Sequence, residues 1–157
     1  MKRLLSPGAA FLTSVACAAA VLFAPGTAQA VPTWEEDWIT LASDRNCDYI
    51  ATAPNSGAST VCFEKNGDKL WVKSFDSLNA RISMQWWNEI RTASGWELHR
   101  HGECFNDSGQ HALGSCNKDF YEHSTVRPDG GHGSRIRFKA CRLGTCSGVT
   151  PWINNDA

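Results

Sequence analysis

From Asp48 onwards, short apolar runs alternate with polar residues and are separated by turn residues, a pattern typical of antiparallel β-strands. Two of these runs, at 59–64 and 69–75, flank Asn66-Gly67, which is a strong signal for a hairpin turn. Further runs occupy residues 81–87, 120–126, 135–141 and 149–153. The pattern therefore predicts an all-β fold of roughly seven or eight strands, arranged as a small antiparallel sandwich or barrel.

The segment before these runs has a different spacing. Trp34, Trp38 and Leu41 recur at intervals of three or four residues, as on one face of a helix. Thr33 stands at the position of an N-terminal cap, with Glu36 three residues later. We therefore predict a short N-terminal helix within residues 31–42, whose apolar face packs against the β-rich domain.

Strand alternation also predicts which tryptophans point away from the core. Because successive side chains lie on opposite faces of a strand, Trp87 points outward if Trp86 faces the core. The same alternation turns Trp71 outward if Leu70 is buried. Outward indoles present a flat apolar surface with a polar N–H, which suits stacking on sugar rings or contact with a partner protein. Trp71 and Trp87 are therefore the predicted ligand-binding residues.

The following strand offers a different chemistry. Alternation predicts two groups of side chains on opposite faces: Trp96 and Leu98 on one, and Glu97, His99, His101 and Glu103 on the other. Two imidazoles and a carboxylate on one face can bind zinc or another divalent ion. A bare His-x-His pair more often lies on a solvated strand face, because it lacks the supporting hydrogen bonds of a metal site. We therefore predict no metal site and no cofactor.

Residues 1–30 have the organisation of an export signal. Lys2 and Arg3 precede a run rich in Ala, Val, Leu and Phe, and Ala28-Gln29-Ala30 forms a small-x-small cleavage site. Cleavage there predicts a secreted, extracellular chain with a single β-rich domain, residues 31–157, and no membrane association after processing. The alternatives are an uncleaved anchor, for which the apolar run is short, and lipid attachment at Cys17.

Six cysteines remain in the predicted mature domain: Cys47, Cys62, Cys104, Cys116, Cys141 and Cys146. In an exported chain, an even set of this kind predicts up to three disulfide bonds. Sequence cannot choose among the fifteen possible pairings, and we favour the local scheme 47–62, 104–116 and 141–146. Zinc ligation is disfavoured because C-x2-C spacing is absent.

Charge narrows the range of partners. Removal of Lys2 and Arg3 with the signal leaves 13 basic and 16 acidic side chains, a net charge of −3. This balance argues against general binding of nucleic acid or anionic membranes. The charge is uneven, because acidic residues crowd 35–48 and basic residues crowd 127–142. The two regions either attract one another, which we favour, or the basic region meets an anionic partner.

For the oligomeric state, we expect a monomer.

Several strings resemble segments of a known group of proteins. CFEKNGDKLWVKSF, HGECFNDSG and CNKDFYE are similar to segments of uncharacterised small secreted cysteine-containing proteins of actinomycete-type bacteria. The resemblance covers residues 61–146. It implies export, disulfide bonds and a β fold, and it brings no established activity with it.

The evidence for catalysis in the sequence is weak. Nucleophile motifs, phosphate-binding loops and dinucleotide fingerprints are absent. The string YEHSTVRPDGGHGSRIR loosely resembles a segment of small secreted microbial ribonucleases, with Glu122 as general base and Arg135 and Arg137 binding phosphate. The match needs one inserted residue between Glu122 and Thr125, and it lacks the downstream histidine that would be the general acid.

Taken with the export signal, these observations favour a secreted binding module without catalytic residues. Polysaccharide or cell-wall glycan is the first predicted ligand, bound through exposed tryptophans. The alternative is a secreted enzyme inhibitor or protein-interaction domain, in which the loop between Cys104 and Cys116 would insert into a target with little ordering cost. A small ribonuclease-like hydrolase is the third hypothesis.

Overall fold

The computed structural model of the chain describes residues 32–55 and 59–156. These residues form strands and no helix, which confirms the predicted all-β class. The strands are β1 (Trp34–Trp38), β2 (Thr40–Leu41), β3 (Tyr49–Thr52), β4 (Thr60–Glu64), β5 (Lys69–Lys73), β6 (Ile82–Thr92), β7 (Gly95–Asn106), β8 (Leu113–Asn117), β9 (Ser134–Arg142), β10 (Thr145–Cys146) and β11 (Ile153–Asn154). The described part of the chain contains no helix that could cross a membrane. The predicted export signal lies outside the described residues.

The strands are arranged in two sheets. Sheet A has the order β1-β7-β6-β9-β10, with β11 also paired to β9. Sheet B has the order β2-β8-β5-β4-β3. Neighbouring strands run antiparallel except β1 and β7, which are parallel. The two sheets face each other across one apolar core, so the fold has two layers, as in a β-sandwich.

The core consists of the inward side chains that strand alternation predicts. Eight fully buried residues illustrate it: Val61, Phe63, Leu70 and Val72 from sheet B, and Met84, Trp86, Ile136 and Phe138 from sheet A. Phe120, which follows β8, packs edge-on against Phe63 and Trp86 at ring-centre distances of 6.2 and 5.3 Å. Burial of these rings and aliphatic groups supplies the main driving force for folding.

Two predictions about local structure have opposite outcomes. The Asn66-Gly67 turn joins β4 to β5 as predicted, and Gly67 has the positive φ of 86° that favours glycine. The run at 120–126 is not a strand, and this prediction is wrong. Asp119 has a φ of 50°, in the left-handed region, which interrupts the extended chain just before that run. Within the run, Val126 forms an isolated bridge with His132.

The predicted N-terminal helix is also wrong, because its residues 34–38 form strand β1 beside β7. Glu35 and Asp37 face inward from β1 and both form ion pairs with the buried Lys118. Arg100 Nε donates to Glu35 at 2.8 Å. Burial favours the protonated acid, but hydrogen bonds from Arg100 and Lys118 hold the pKa of Glu35 below its usual value. These tertiary contacts outweigh the local helical spacing.

Two glycines allow the N-terminal segment to lie against both sheets. β1 lies beside Gly102 of β7, and Thr40 lies beside Gly114 of β8. A Cβ atom on Gly102 would collide with the carbonyl group of Glu35, and one on Gly114 with the carbonyl group of Thr40. The segment passes from sheet A to sheet B at Ile39, and the two glycines leave room for its backbone on either side of that point.

The three favoured disulfide pairings are all present. Cys104–Cys116 is buried and joins β7 of sheet A to β8 of sheet B. Cys47–Cys62 attaches the segment before β3 to β4, and Cys141–Cys146 joins β9 to β10. Three disulfide bonds in one domain of this size are consistent with an oxidising, extracellular compartment.

Candidate functional site

The face of sheet A that points away from the core carries rows of side chains that cross the strands. The aromatic row consists of Trp34, His101, Trp87, Arg137 and Trp152. The first four lie directly opposite one another in the strand registers, and Trp152, just before β11, packs against Arg137. The neighbouring polar row consists of Glu36, Glu103, Gln85 and Lys139. One continuous surface therefore spans the sheet from β1 to β9.

Five of the seven tryptophans of the chain lie on this surface, which we call the tryptophan face: Trp34, Trp38, Trp87, Trp96 and Trp152. Three are exposed, with relative accessibilities of 38% for Trp34, 54% for Trp38 and 36% for Trp96. The other two are half-buried. Single exposed apolar side chains are common, but a contiguous exposed aromatic patch is typical of an interaction site.

Cations of β9 lie among these indoles. The guanidinium carbon of Arg137 is 4.4 Å from the ring centre of Trp152 and 5.7 Å from that of Trp87. Lys139 Nζ is 5.7 Å from the ring centre of Trp87. Cation–π attraction at these distances fixes the positions of the rings and holds positive charge beside their faces.

A β-bulge brings Trp96 onto the same face. The register between β6 and β7 shifts in the middle of β6, which leaves His99 without a directly opposed residue. One extra residue reverses strand alternation, so Trp96 shares a face with His101. The prediction that these two side chains lie on opposite faces is therefore wrong. In this position Trp96 lies with its ring centre 4.4 Å from the guanidinium carbon of Arg135.

A cleft of about 380 Å³ adjoins the tryptophan face and contains part of the polar row. It is lined by Arg81, Ser83, Gln85, Glu103, Phe105, Cys141, Leu143, Gly144 and Cys146. Glu103 accepts hydrogen bonds from Ser83 Oγ and, at 3.3 Å, from Gln85 Nε2. Trp38 packs against Phe105 at the edge of this group, with ring centres 5.4 Å apart. Convergent polar groups beside aromatic rings are the usual lining of a small-molecule site.

A second cavity, the histidine pocket, has a volume of about 430 Å³ and shares Trp96 with the tryptophan face. It is lined by Arg91, Trp96, His123, His132, Gly133, Ser134, Asn154, Asn155 and Asp156. Ser134 Oγ and Asn155 Oδ1 are buried and have no hydrogen-bond partner among the described residues. Both atoms are closed to solvent, so they offer no hydrogen bond to a ligand in the pocket.

Arg127 shapes the loop that forms one wall of the histidine pocket. Its buried guanidinium donates to the carbonyl oxygens of His132 and Gly133 at 3.2 and 2.9 Å and pairs with Asp129. His123 and His132 consequently face each other with ring centres 6.5 Å apart. The pocket wall is therefore held in place by a charge that is itself fully paired.

Trp71, one of the two predicted ligand-binding residues, is not on an open surface. It points away from the main core as alternation predicts, but it is 6% exposed. Its indole N–H donates to Glu64 Oε2 at 2.7 Å. A second small apolar cluster covers it, formed with Cys62, Leu113 and Cys47. The expected exposure of Trp71 is therefore wrong, and a ligand-binding role for either tryptophan stays a prediction.

The residues of the metal and hydrolase alternatives have other partners in the structure. Among the described residues, no three side chains of His, Cys, Asp or Glu are grouped closely enough to hold a metal ion. His99 instead packs against Tyr121, with ring centres 5.5 Å apart, and burial lowers the pKa of His99. On the tryptophan face, Arg135 pairs with Glu89 and Arg137 packs against Trp152. Glu122 lies in the segment between β8 and β9, where Ser124 Oγ donates to its carboxylate at 3.5 Å.

The loop between Cys104 and Cys116, suggested for protein binding, is solvent-exposed and held in place. Asn106 Nδ2 donates to the carbonyl oxygens of Val72 and Ala112, both at 3.0 Å. Among the described residues 107–112, no large apolar side chain is exposed. The loop therefore lacks the aromatic or aliphatic anchor that dominates most protein interfaces.

Comparisons with protein-family models, curated proteins and solved structures found no match for this chain. The resemblance to small secreted cysteine-containing bacterial proteins therefore stays a prediction. Function has to be inferred from the chemistry of the surface itself.

Sequence reasoning found Trp87 but missed four tryptophans of the same face: Trp34, Trp38, Trp96 and Trp152. A weak signal was available for Trp152, because it lies in the run at 149–153, the next apolar run after a strand in which cations alternate with apolar residues. Trp34 and Trp38 are four residues apart, an even spacing that also fits one face of a strand. The bulge that redirects Trp96 leaves no clear signal in the sequence.

Proposed function

We propose that this chain is a secreted, non-catalytic module that binds polysaccharide or cell-wall glycan on the tryptophan face. The observation that carries the proposal is the placement of five of seven tryptophans on the outer face of one sheet. Indole rings stack on the apolar faces of sugar rings, and the indole N–H remains available to a hydroxyl group. Extracellular glycans are also ligands that an exported, disulfide-bonded domain would meet.

The aromatic row supports binding to a chain rather than to a single sugar. Neighbouring strands are roughly 4.8 Å apart, so Trp34 and Trp87, which are separated by β7, lie about 10 Å from each other. Two rings at this separation can contact different sugar units of one polymer. The adjoining cleft adds the carboxylate of Glu103 and the amide of Gln85, which can hydrogen-bond to sugar hydroxyl groups.

The surface is also preorganised. Its rings are carried on paired strands and held by cations, and Trp34 packs against His101 with ring centres 5.2 Å apart. A ligand that binds a rigid surface loses less affinity to the ordering of side chains. The rigid rings therefore support the proposal that a ligand binds this face without a change in the conformation of the protein.

Isothermal titration calorimetry of residues 31–157 with soluble neutral and acidic oligosaccharides tests the proposal. We expect saturable binding to at least one oligosaccharide. Trp87→Ala should weaken that binding by about tenfold, because truncation of a central aromatic anchor typically costs more than ~1 kcal/mol. Tyr49→Ala removes the aromatic ring of a residue that is 42% exposed on β3 of sheet B, and this control should bind like the unmodified protein.

Two results would contradict the proposal. One is the absence of binding across the whole panel. The other is binding that neither Trp87→Ala nor Trp34→Ala weakens, since the ligand would then lie elsewhere on the molecule.

A further inference from the structure

Three cations of the tryptophan face belong to one strand, β9. Arg135, Arg137 and Lys139 occupy alternate positions of β9 and point to the same side as Trp87. Their distances to the indole rings mean that a sugar stacked on the face has a positive charge within a few ångströms. The mature domain is acidic as a whole, so this concentration of positive charge is a local property of the candidate site.

Two of these three cations have no carboxylate partner. Arg135 is paired with Glu89, with an Nε–Oε2 distance of 2.8 Å. Among the described residues, neither Arg137 nor Lys139 has an acidic group within 4.0 Å. Arg137 Nε is moreover buried without a hydrogen-bond partner. A guanidinium and an ammonium group without carboxylate partners, held beside the indole rings, favour a ligand that brings negatively charged oxygens to them.

We infer that the glycan bound on the tryptophan face is a polyuronate, with its ring carboxylates paired to Arg137 and Lys139. This inference rests on the proposed glycan-binding function and names the class of glycan. Arg137 lies close to both Trp87 and Trp152, so the acidic group must be close to the stacked ring itself. A uronic acid meets this condition because its carboxylate is attached directly to the sugar ring.

The polar row gives the acidic chain an orientation. Its β9 end is the cation Lys139, whereas its other end carries the carboxylates of Glu36 and Glu103. Like charges repel, so the uronate carboxylates are directed towards β9 and away from β1 and β7.

A purely structural role for the cations predicts a different behaviour. If Arg137 and Lys139 serve to hold the indoles in place, their replacement would affect neutral and acidic ligands equally. If they bind carboxylates, the loss would be confined to acidic ligands. The two roles therefore differ in ligand selectivity, and stability alone does not separate them.

Calorimetry with oligogalacturonate and with its methyl ester tests the inference, because the ester keeps the ring and removes the charge. The acid should bind more tightly than the ester. Lys139→Gln and Arg137→Gln should each weaken binding of the acid by about threefold to tenfold at low salt and leave the ester unchanged. Raising the salt concentration should weaken binding of the acid and leave binding of the ester unchanged.

Lys73→Gln is the matched control. Lys73 lies over the ring of Phe75 at 4.8 Å on sheet B, so the substitution removes the same charge from a comparable setting on the other sheet. It should leave both affinities unchanged. If Arg137→Gln fails to fold, Lys139→Gln still provides the test, because Lys139 is half-buried and makes no hydrogen bond that the core needs.

The outcomes distinguish this inference from the function on which it rests. Two results would overturn the polyuronate assignment and leave glycan binding intact. One is that the ester binds as tightly as the acid, and the other is that Lys139→Gln weakens binding of the ester and of the acid equally. Tighter binding of dextran sulfate or poly(dT) than of oligogalacturonate would overturn it as well, since charge alone would then explain the affinity. Failure of every glycan, neutral and acidic, would instead overturn the proposed function.

Discussion

The two sheets of this domain each carry a tryptophan at an outward position of a central strand, yet the two side chains have different surroundings. Trp71 on β5 of sheet B is sealed beneath the segment that Cys47–Cys62 ties down. Trp87 on β6 of sheet A is half-buried among charged side chains on an open surface. An outward position in a strand is therefore not the same as an exposed one. What decides exposure is whether a distant segment closes over the sheet.

Replacement of these two tryptophans should give the largest difference between the sheets. Trp71→Ala is expected to lower the free energy of unfolding by about 3–5 kcal/mol, because it empties a buried site and leaves Glu64 without its indole donor. Trp87→Ala should cost less than about 1.5 kcal/mol, since part of its ring already contacts water. Urea denaturation followed by circular dichroism measures both, and equal losses would contradict the distinction.

A buried carboxylate sharpens the same contrast between sealed and open surfaces. Burial raises the pKa of Asp68, beside the β4–β5 turn, to about 6, despite a 2.8 Å hydrogen bond from Asn155. The native state therefore holds an extra proton between the pKa of the unfolded chain and about pH 6, and Asp68 lowers stability as the pH rises through that range. From about pH 4 to pH 7, the free energy of unfolding of Asp68→Asn should rise by roughly 2 kcal/mol relative to that of the unmodified protein.

Urea denaturation at a series of pH values measures this change. The matched control is Asp129→Asn: Arg127 lowers the pKa of Asp129, so its contribution to stability is lost only as the pH falls below the pKa of the unfolded chain, and the difference between Asp129→Asn and the unmodified protein should stay nearly constant from pH 4 to pH 7. A stability difference between Asp68→Asn and the unmodified protein that does not vary with pH would contradict the prediction.

Displacement of β1 should loosen the edge of sheet A and leave sheet B intact. Gly102→Ala places a methyl group against the backbone of Glu35 and is expected to cost about 1–3 kcal/mol through overpacking. Because β1 carries Trp34 and Trp38, the tryptophan face should lose both rings while Trp71 stays covered. Hydrogen exchange should then increase in residues 34–38 and remain slow in β4 and β5.

Gly148→Ala is a suitable control for this experiment, since a Cβ atom there meets nothing within 4 Å. It should leave hydrogen exchange and stability unchanged. Slow exchange of residues 34–38 in Gly102→Ala would show that β1 tolerates the added methyl group.

Much of the fold could be predicted because its determinants are local. The Asn66-Gly67 turn, the alternating strands around it and the disulfide pairings between nearby cysteines each depend on residues close together in the chain. β1 could not be predicted in this way. Glu35 and Asp37 are stabilised there by Arg100 and Lys118, far along the chain, and local spacing is compatible with either secondary structure.

The candidate site was less predictable for the same physical reason. Alternation correctly turns Trp87 outward, but a single extra residue at His99 reverses the face on which Trp96 lies. The cover over Trp71 depends on the segment around Cys47, which precedes it by more than one strand. Sequence patterns describe the direction of a side chain, whereas its accessibility depends on packing between distant elements.

The distribution of tryptophans also has an optical consequence. Three indoles are open to solvent, while Trp71 and Trp86 are buried, at 6% and 0% exposure. The intrinsic emission of the protein therefore has a solvent-facing component and a shielded one, and a dissolved quencher such as iodide reaches the first preferentially. Occupancy of the outer surface and integrity of the interior can thus be followed separately in one unlabelled sample.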